Sequence, residues 1–183
     1  MAQPTVDLKN RHLAALLAWL VPGLGHLYQG RRGKAALYAT AILGLFVVGL
    51  VMGDGKIVYW RWTTPMRDPE NFRASYLCQF WVGLAALPGL IQATLQQYDL
   101  PTILWGYLAP PSQQAVNALH PKLSKLVEVG WVYTVVAGLL NVLAIYDAFE
   151  GPADPQAEPA GAPAAGESRA AGSIEGVNVG AGA

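Results

Sequence analysis

A chain of 183 residues has the length of one domain or two small ones. Hydrophobic residues make up 53% and charged residues 13%, about half the roughly 25% charge of a soluble domain, and the mean hydropathy is +0.29. A formal net charge of zero gives no electrostatic basis for nucleic-acid binding, and the single Cys78 excludes an internal disulfide framework and a multi-cysteine metal site.

Four apolar stretches approach the roughly 20 residues that one helical span needs. They are Leu13–Leu27, Ala35–Met52, Leu77–Leu95 and Leu126–Ala148. The first is short, and it also imitates a signal peptide, with Lys9, Arg11 and His12 ahead of it and Gly23-Leu24-Gly25 as a small-residue site. Tyr28 to Lys34 leads straight into the second stretch, so the pair reads as a hairpin. The expected fold is therefore all-α, an integral membrane bundle of about four transmembrane or re-entrant helices. A flank over residues 1–11 precedes the membrane domain at 12–150, and an Ala/Gly/Pro-rich tail at 151–183 follows it. The tail is too poor in large apolar residues to fold, and disorder is expected there. Between the second and third stretches lies a polar, aromatic-rich loop, and Ser112 is placed to cap a short helix from Gln113. Tyr28, Tyr59, Trp60, Trp62, Tyr76, Trp105, Tyr107, Trp131 and Tyr146 fall near the stretch ends, as an interfacial aromatic belt would.

Helices in lipid associate through small residues that let backbones approach. Ala36, Thr40 and Gly44 share one face of the second stretch. Gln79, Gly83 and Ala86 line up in the third, and Gly130, Thr134 and Gly138 in the fourth, continued by Asn141, Ala144 and Ala148. Asn141 lies deep in its stretch, where an interhelical hydrogen bond is the favoured reading and a substrate contact the alternative. Glu128 and Asp147 sit at the ends of the same stretch, where charge costs least.

The segment Pro22-Gly23-Leu24-Gly25-His26-Leu27-Tyr28-Gln29-Gly30-Arg31-Arg32-Gly33-Lys34 should break the first helix and turn tightly. Arg31, Arg32 and Lys34 are expected at lipid headgroups, and His26, four residues after Pro22, could bond a carbonyl that the kink frees. Leu87-Pro88-Gly89-Leu90-Ile91-Gln92 echoes the first break faintly. This run from Pro22 to Ala35 resembles the core of the two-transmembrane-helix domain family over about residues 12–52. As a whole the chain is similar to small uncharacterised bacterial membrane proteins of the domain-of-unknown-function type. The resemblance rests on that hairpin and on Tyr133 to Asn141 followed by Leu143 to Ala148. It implies a multi-pass membrane location, the bacterial inner membrane included, and no established activity.

Four spans would place Lys9, Arg11 and the 53–76 loop on one side, with Arg31, Arg32, Lys34, Lys122 and Lys125 on the other. Density then favours a cytoplasmic turn at Arg31–Lys34 and an outside tail, and a re-entrant first stretch, with both basic flanks cytoplasmic, would keep that turn and change the span count to three. The leading functional reading is a non-enzymatic scaffold or modulator acting through helix association, with the lipid bilayer, a second copy or other membrane proteins as partners. It needs no cofactor, metal or nucleic acid. The alternative is a small transporter or channel lined by His26, Gln92 and Asn141 at the Pro-Gly breaks. An intramembrane enzyme ranks third, since no nucleophile and base occur together.

Overall fold

A computed structural model of the chain describes residues 9–69, 72–123 and 125–151, without the side chains of 119–122. The tail expected to be disordered lies, but for Gly151, outside the described residues. Among the described residues the secondary structure is helical: α1 (Arg11–Leu20), α2 (Leu24–Tyr28), α3 (Arg32–Met52), α4 (Ser75–Gln79) running into a 3-10 turn (Phe80–Ala85), α5 (Leu87–Gln97), α6 (Gln113–Leu123) and α7 (Lys125–Glu150).

Two helices, α3 and α7, are long and apolar enough to cross a membrane. At 1.5 Å per residue they measure about 32 and 39 Å. They pack antiparallel along a seam of small residues. A Cβ on Gly49 would lie 2.6 Å from the Gly130 carbonyl oxygen, and one on Gly130 would lie 2.5 Å from that of Gly49. At the other end Arg31 and Lys34 meet Asp147. The bundle thus has a basic end, at residues 31–34 and 147–150, and a loop end, at Gly53 and Gly130. This corrects the four-span arrangement. Arg31–Lys34 and the end of α7 belong to the same end of the bundle, and Lys125 belongs to the opposite one.

The reason is that the first and third apolar stretches are broken. Asn10 caps α1 by accepting from the amides of His12 and Leu13. The helix then lies along α7 from Phe149, whose ring His12 and Arg11 contact, to the level of Asn141. Pro22 removes an amide donor, Gly23 takes a left-handed conformation (φ +86), and α2 turns back so that His26 reaches Asp147. The third stretch enters from the loop end as α4 and breaks at Gly83 (φ +76). It leaves as α5 at 112° to its first half. Pro88 sits in the first turn of α5, where its missing amide costs nothing. The Pro88 echo therefore opens a helix, whereas Pro22 ends one. The two breaks touch: a Cβ on Gly83 would overlap the Trp19 carbonyl oxygen, and its positive φ already disfavours any other residue.

Of the expected packing faces, Gly130, Thr134, Gly138, Asn141, Ala144 and Ala148 on α7 are all buried. Gln79, Gly83 and Ala86 are buried too, although the backbone between them is not one helix. The α3 face is different. Ala35, Ile42, Phe46 and Gly49 turn inward, while Ala36, Thr40 and Gly44 are exposed and Gly44 has no neighbour where a Cβ would stand. Small residues occur on both sides of α3, and spacing alone did not single out the packed side. The aromatic belt is also thinner than expected. Tyr59 and Tyr76 are buried, Tyr76 in a core that it shares with Val58, Ile57, Ile42 and Phe46. Ser112 caps α6 through the Ala115 amide at 3.2 Å, and the helix continues past Pro121 to Leu123.

Leucine at residue 138 would have to displace the Cys78 backbone, which a Cβ alone already overlaps. Gly138→Leu should therefore melt well below the parent in one detergent, by more than the about 1 to 3 kcal/mol of ordinary overpacking. Gly44→Leu, with open space around it, should melt with the parent. Equal melting of both variants would show that the Gly138 face is not packed.

Candidate functional site

Three cationic residues crowd the first turn of α3, where the helix dipole is already positive. Arg31, Arg32 and Lys34 would repel that end were there no acid beside it. The antiparallel packing supplies one, because the negative C-terminal turn of α7 and Asp147 lie alongside. Asp147 Oδ2 accepts from His26 Nε2 at 2.8 Å and Arg31 at 3.0 Å. Its Oδ1 accepts from Arg31 and from Lys34, both at 3.2 Å. Arg31 also donates to the Asp147 carbonyl, and the Gln29 amide donates at 2.6 Å to that of Ala148. Both carbonyls lie in the last turn of α7, where that of Asp147 also accepts from the Gly151 amide at 3.0 Å. One turn of chain, Gln29 to Lys34, thus satisfies the end of α7, while α7 neutralises the start of α3.

His26 is fully buried, with its ring 4.7 Å from that of Tyr38. Burial lowers its pKa below the ordinary 6.5; the hydrogen bond to Asp147 opposes this, and the charge of Arg31 adds to it. The geometry agrees, since buried Nδ1 has no hydrogen-bond partner and a proton there would have no acceptor. His26 is therefore a neutral imidazole that donates from Nε2.

Deeper in the bundle, Asn141 is fully buried. Its Nδ2 donates to the Ala18 carbonyl at 3.1 Å and the Trp81 carbonyl at 2.7 Å. Ala18 stands four residues before Pro22, so its carbonyl is the one that proline leaves without a helical donor. Trp81 is two residues from the Gly83 break. One carboxamide thus ties both broken segments to α7. The bond to a carbonyl freed by Pro22, expected of His26, is made by Asn141. Two turns nearer the loop end, Gln79 Nε2 donates to Thr134 Oγ1 at 2.8 Å. Gln92 clamps Ile103 at both backbone groups, donating to its carbonyl and accepting from its amide.

The structure brings His26, Arg31 and Lys34 together on Asp147 and sets Asn141 at the junction of the breaks. It leaves Gln92 apart, on α5 and bonded to the loop that follows that helix. Gly130 and Gly138 supply backbone contact and no chemistry. Arg32 is exposed beside an apolar groove lined by Pro22, Gly23, Leu24, Leu27 and Ala36. Sequence reasoning missed Asp147 as the centre of the cluster, together with Gln29 and Tyr38. The available signal was an acid without a local partner in the last turn of one apolar helix and three cations opening another.

The architecture is that of an all-helical protein with two helices able to cross a membrane. The chain belongs to a family of unknown function, DUF6677, whose model matches residues 13–160 and so takes in both the Asp147 cluster and Asn141. No curated protein and no solved structure matches it.

A folded-state pKa below that of the unfolded chain gives stability that is complete above about pH 6.5. It is lost as the pH falls through the lowered value, when a proton must enter beside Arg31 and Lys34. The parent should therefore melt lower at pH 5 than at pH 8. His26→Gln, which keeps an amide donor for Asp147, should lose part of that difference. An unchanged difference would place the pH dependence elsewhere.

Proposed function

We propose that the protein is a non-enzymatic, multi-pass membrane scaffold or modulator that acts through helix association. In this reading α3 and α7 cross the bilayer, and the two broken segments enter from opposite faces and return to the face they came from. The basic end lies in the cytoplasm. Lys9, Arg11, Arg31, Arg32 and Lys34 fall within 26 residues, whereas the six cations from Lys56 to Lys125 are spread over 70. The location proposed is a bacterial inner membrane, with the exposed Arg32 available to headgroup phosphates.

The observation that carries the reading is the use made of the deep polar groups. His26, Gln79, Gln92, Thr134 and Asn141 have at most a few per cent of their surface exposed, and each bonds to another part of the same chain. Groups spent on holding the fold are poor candidates for a permeation path, which needs sites that exchange partners. The transporter reading draws support from the broken helices, a device some transporters use at substrate sites. Here, however, the Asn141 nitrogen at the junction is already occupied. The outward face of α3 is free for association: Ala36, Thr40 and Gly44 are exposed, with a shallow groove along Ala39, Leu43 and Val47.

Purification from membranes in mild detergent should recover the parent with a second copy or another membrane protein. Gly44→Leu should be recovered folded, and alone. If Gly44→Leu keeps the same assembly as the parent, the outer face of α3 meets only lipid and the association reading loses its surface.

A further inference from the structure

At the loop end, away from both clusters, α6, α7, the chain after α3 and Arg73 just ahead of α4 enclose a half-open cavity of about 200 Å³. Its wall combines three kinds of group: the cations Lys56 and Arg73, the carboxylate of Glu128, and the apolar side chains Ile57, Val116, Val127 and Trp131. Arg73 lies over the Tyr59 ring at 4.7 Å to the centroid, which fixes its guanidinium plane. Its Nε is buried and has no hydrogen-bond partner. Lys56 bonds Asp54 yet stays partly exposed, and Glu128 is exposed.

We infer that this cavity binds the headgroup of a zwitterionic phospholipid that carries both a phosphate and a primary ammonium. Arg73 and Lys56 donate to the phosphate oxygens, Glu128 accepts from the ammonium, and Ile57, Val116, Val127 and Trp131 take the glycerol and the first acyl carbons. The cavity sits at the right level for this. Lys56 follows the end of α3 by four residues, Glu128 is in the first turn of α7, and Trp131 is a side chain suited to the membrane interface. A purely anionic headgroup would satisfy the two cations and meet repulsion from Glu128. The carboxylate therefore gives the site its selectivity. The inference rests on the proposed crossing of a bilayer by α3 and α7.

The test is native mass spectrometry of the full chain in detergent with equal amounts of phosphatidylethanolamine and phosphatidylglycerol. The parent should retain the ethanolamine lipid about tenfold better, the worth of one charge-assisted hydrogen bond. Glu128→Gln, a change at an exposed side chain that leaves the fold intact, should abolish the preference. Lys56→Gln should weaken retention of both lipids. The inference is overturned by equal retention in the parent, or by a preference that survives Glu128→Gln. It is also overturned if soluble glycerophosphoethanolamine at the same concentration displaces the lipid fully, since the apolar wall would then contribute nothing. Failure here in a protein whose α3 and α7 are shown to cross the membrane would leave the scaffold reading standing.

Discussion

A proline inside an apolar helix leaves one carbonyl without its donor, and lipid offers no substitute. In this protein that carbonyl belongs to Ala18, and the Asn141 amide takes it while also bonding Trp81 at the second break. The remaining architecture follows from this bond. Because the break at Pro22 is satisfied from α7, the first stretch can turn back rather than continue. Because it turns back, Gln29 to Lys34 returns to the end of the bundle where α1 began. α3 then starts beside the C-terminus of α7, and the two long helices have to run antiparallel.

Antiparallel packing decides where charge can stand. The positive start of α3 and the negative end of α7 lie side by side, and Asp147 with Arg31 and Lys34 completes the exchange. Asp147 retains about a fifth of its side-chain exposure and Arg31 less than a tenth, so the cluster is part of the packing and is more than a surface decoration. The glycines act at the opposite end and at mid-height. Gly49 on Gly130 and Gly138 on Cys78 bring backbones into direct contact, which in lipid is the principal source of helix affinity.

Much of this was legible in the sequence. The all-helical bundle, the α7 face from Gly130 to Ala148, the break at Pro22-Gly23 and the buried role of Asn141 follow from apolar length, four-residue spacing and the missing proline amide. What was not legible depended on direction. Whether Leu13–Leu27 crosses or returns is set by a partner 123 residues away in sequence, and no local pattern encodes that. The partnership of His26 with Asp147 failed to show for the same reason, 121 residues lying between them. The α3 face of Ala36, Thr40 and Gly44 does not pack within the chain, where Ala35, Ile42, Phe46 and Gly49 turn inward instead, because the spacing of small residues does not say which neighbour a face meets. The Gly83 break lacked the proline that marks the first, since Pro88 lies five residues further on and serves a different purpose.

The account turns on the two breaks being returns, tied at one asparagine from opposite ends of the bundle. Single cysteines at Arg32, Gln114 and Glu150, with Cys78 replaced, can be probed in intact cells by an impermeant thiol reagent. Positions 32 and 150 should behave alike, protected if the basic end is cytoplasmic, and position 114 should behave oppositely. Positions 32 and 114 reacting alike, with 150 opposed, would mean four full crossings and would contradict the returns at Pro22 and Gly83.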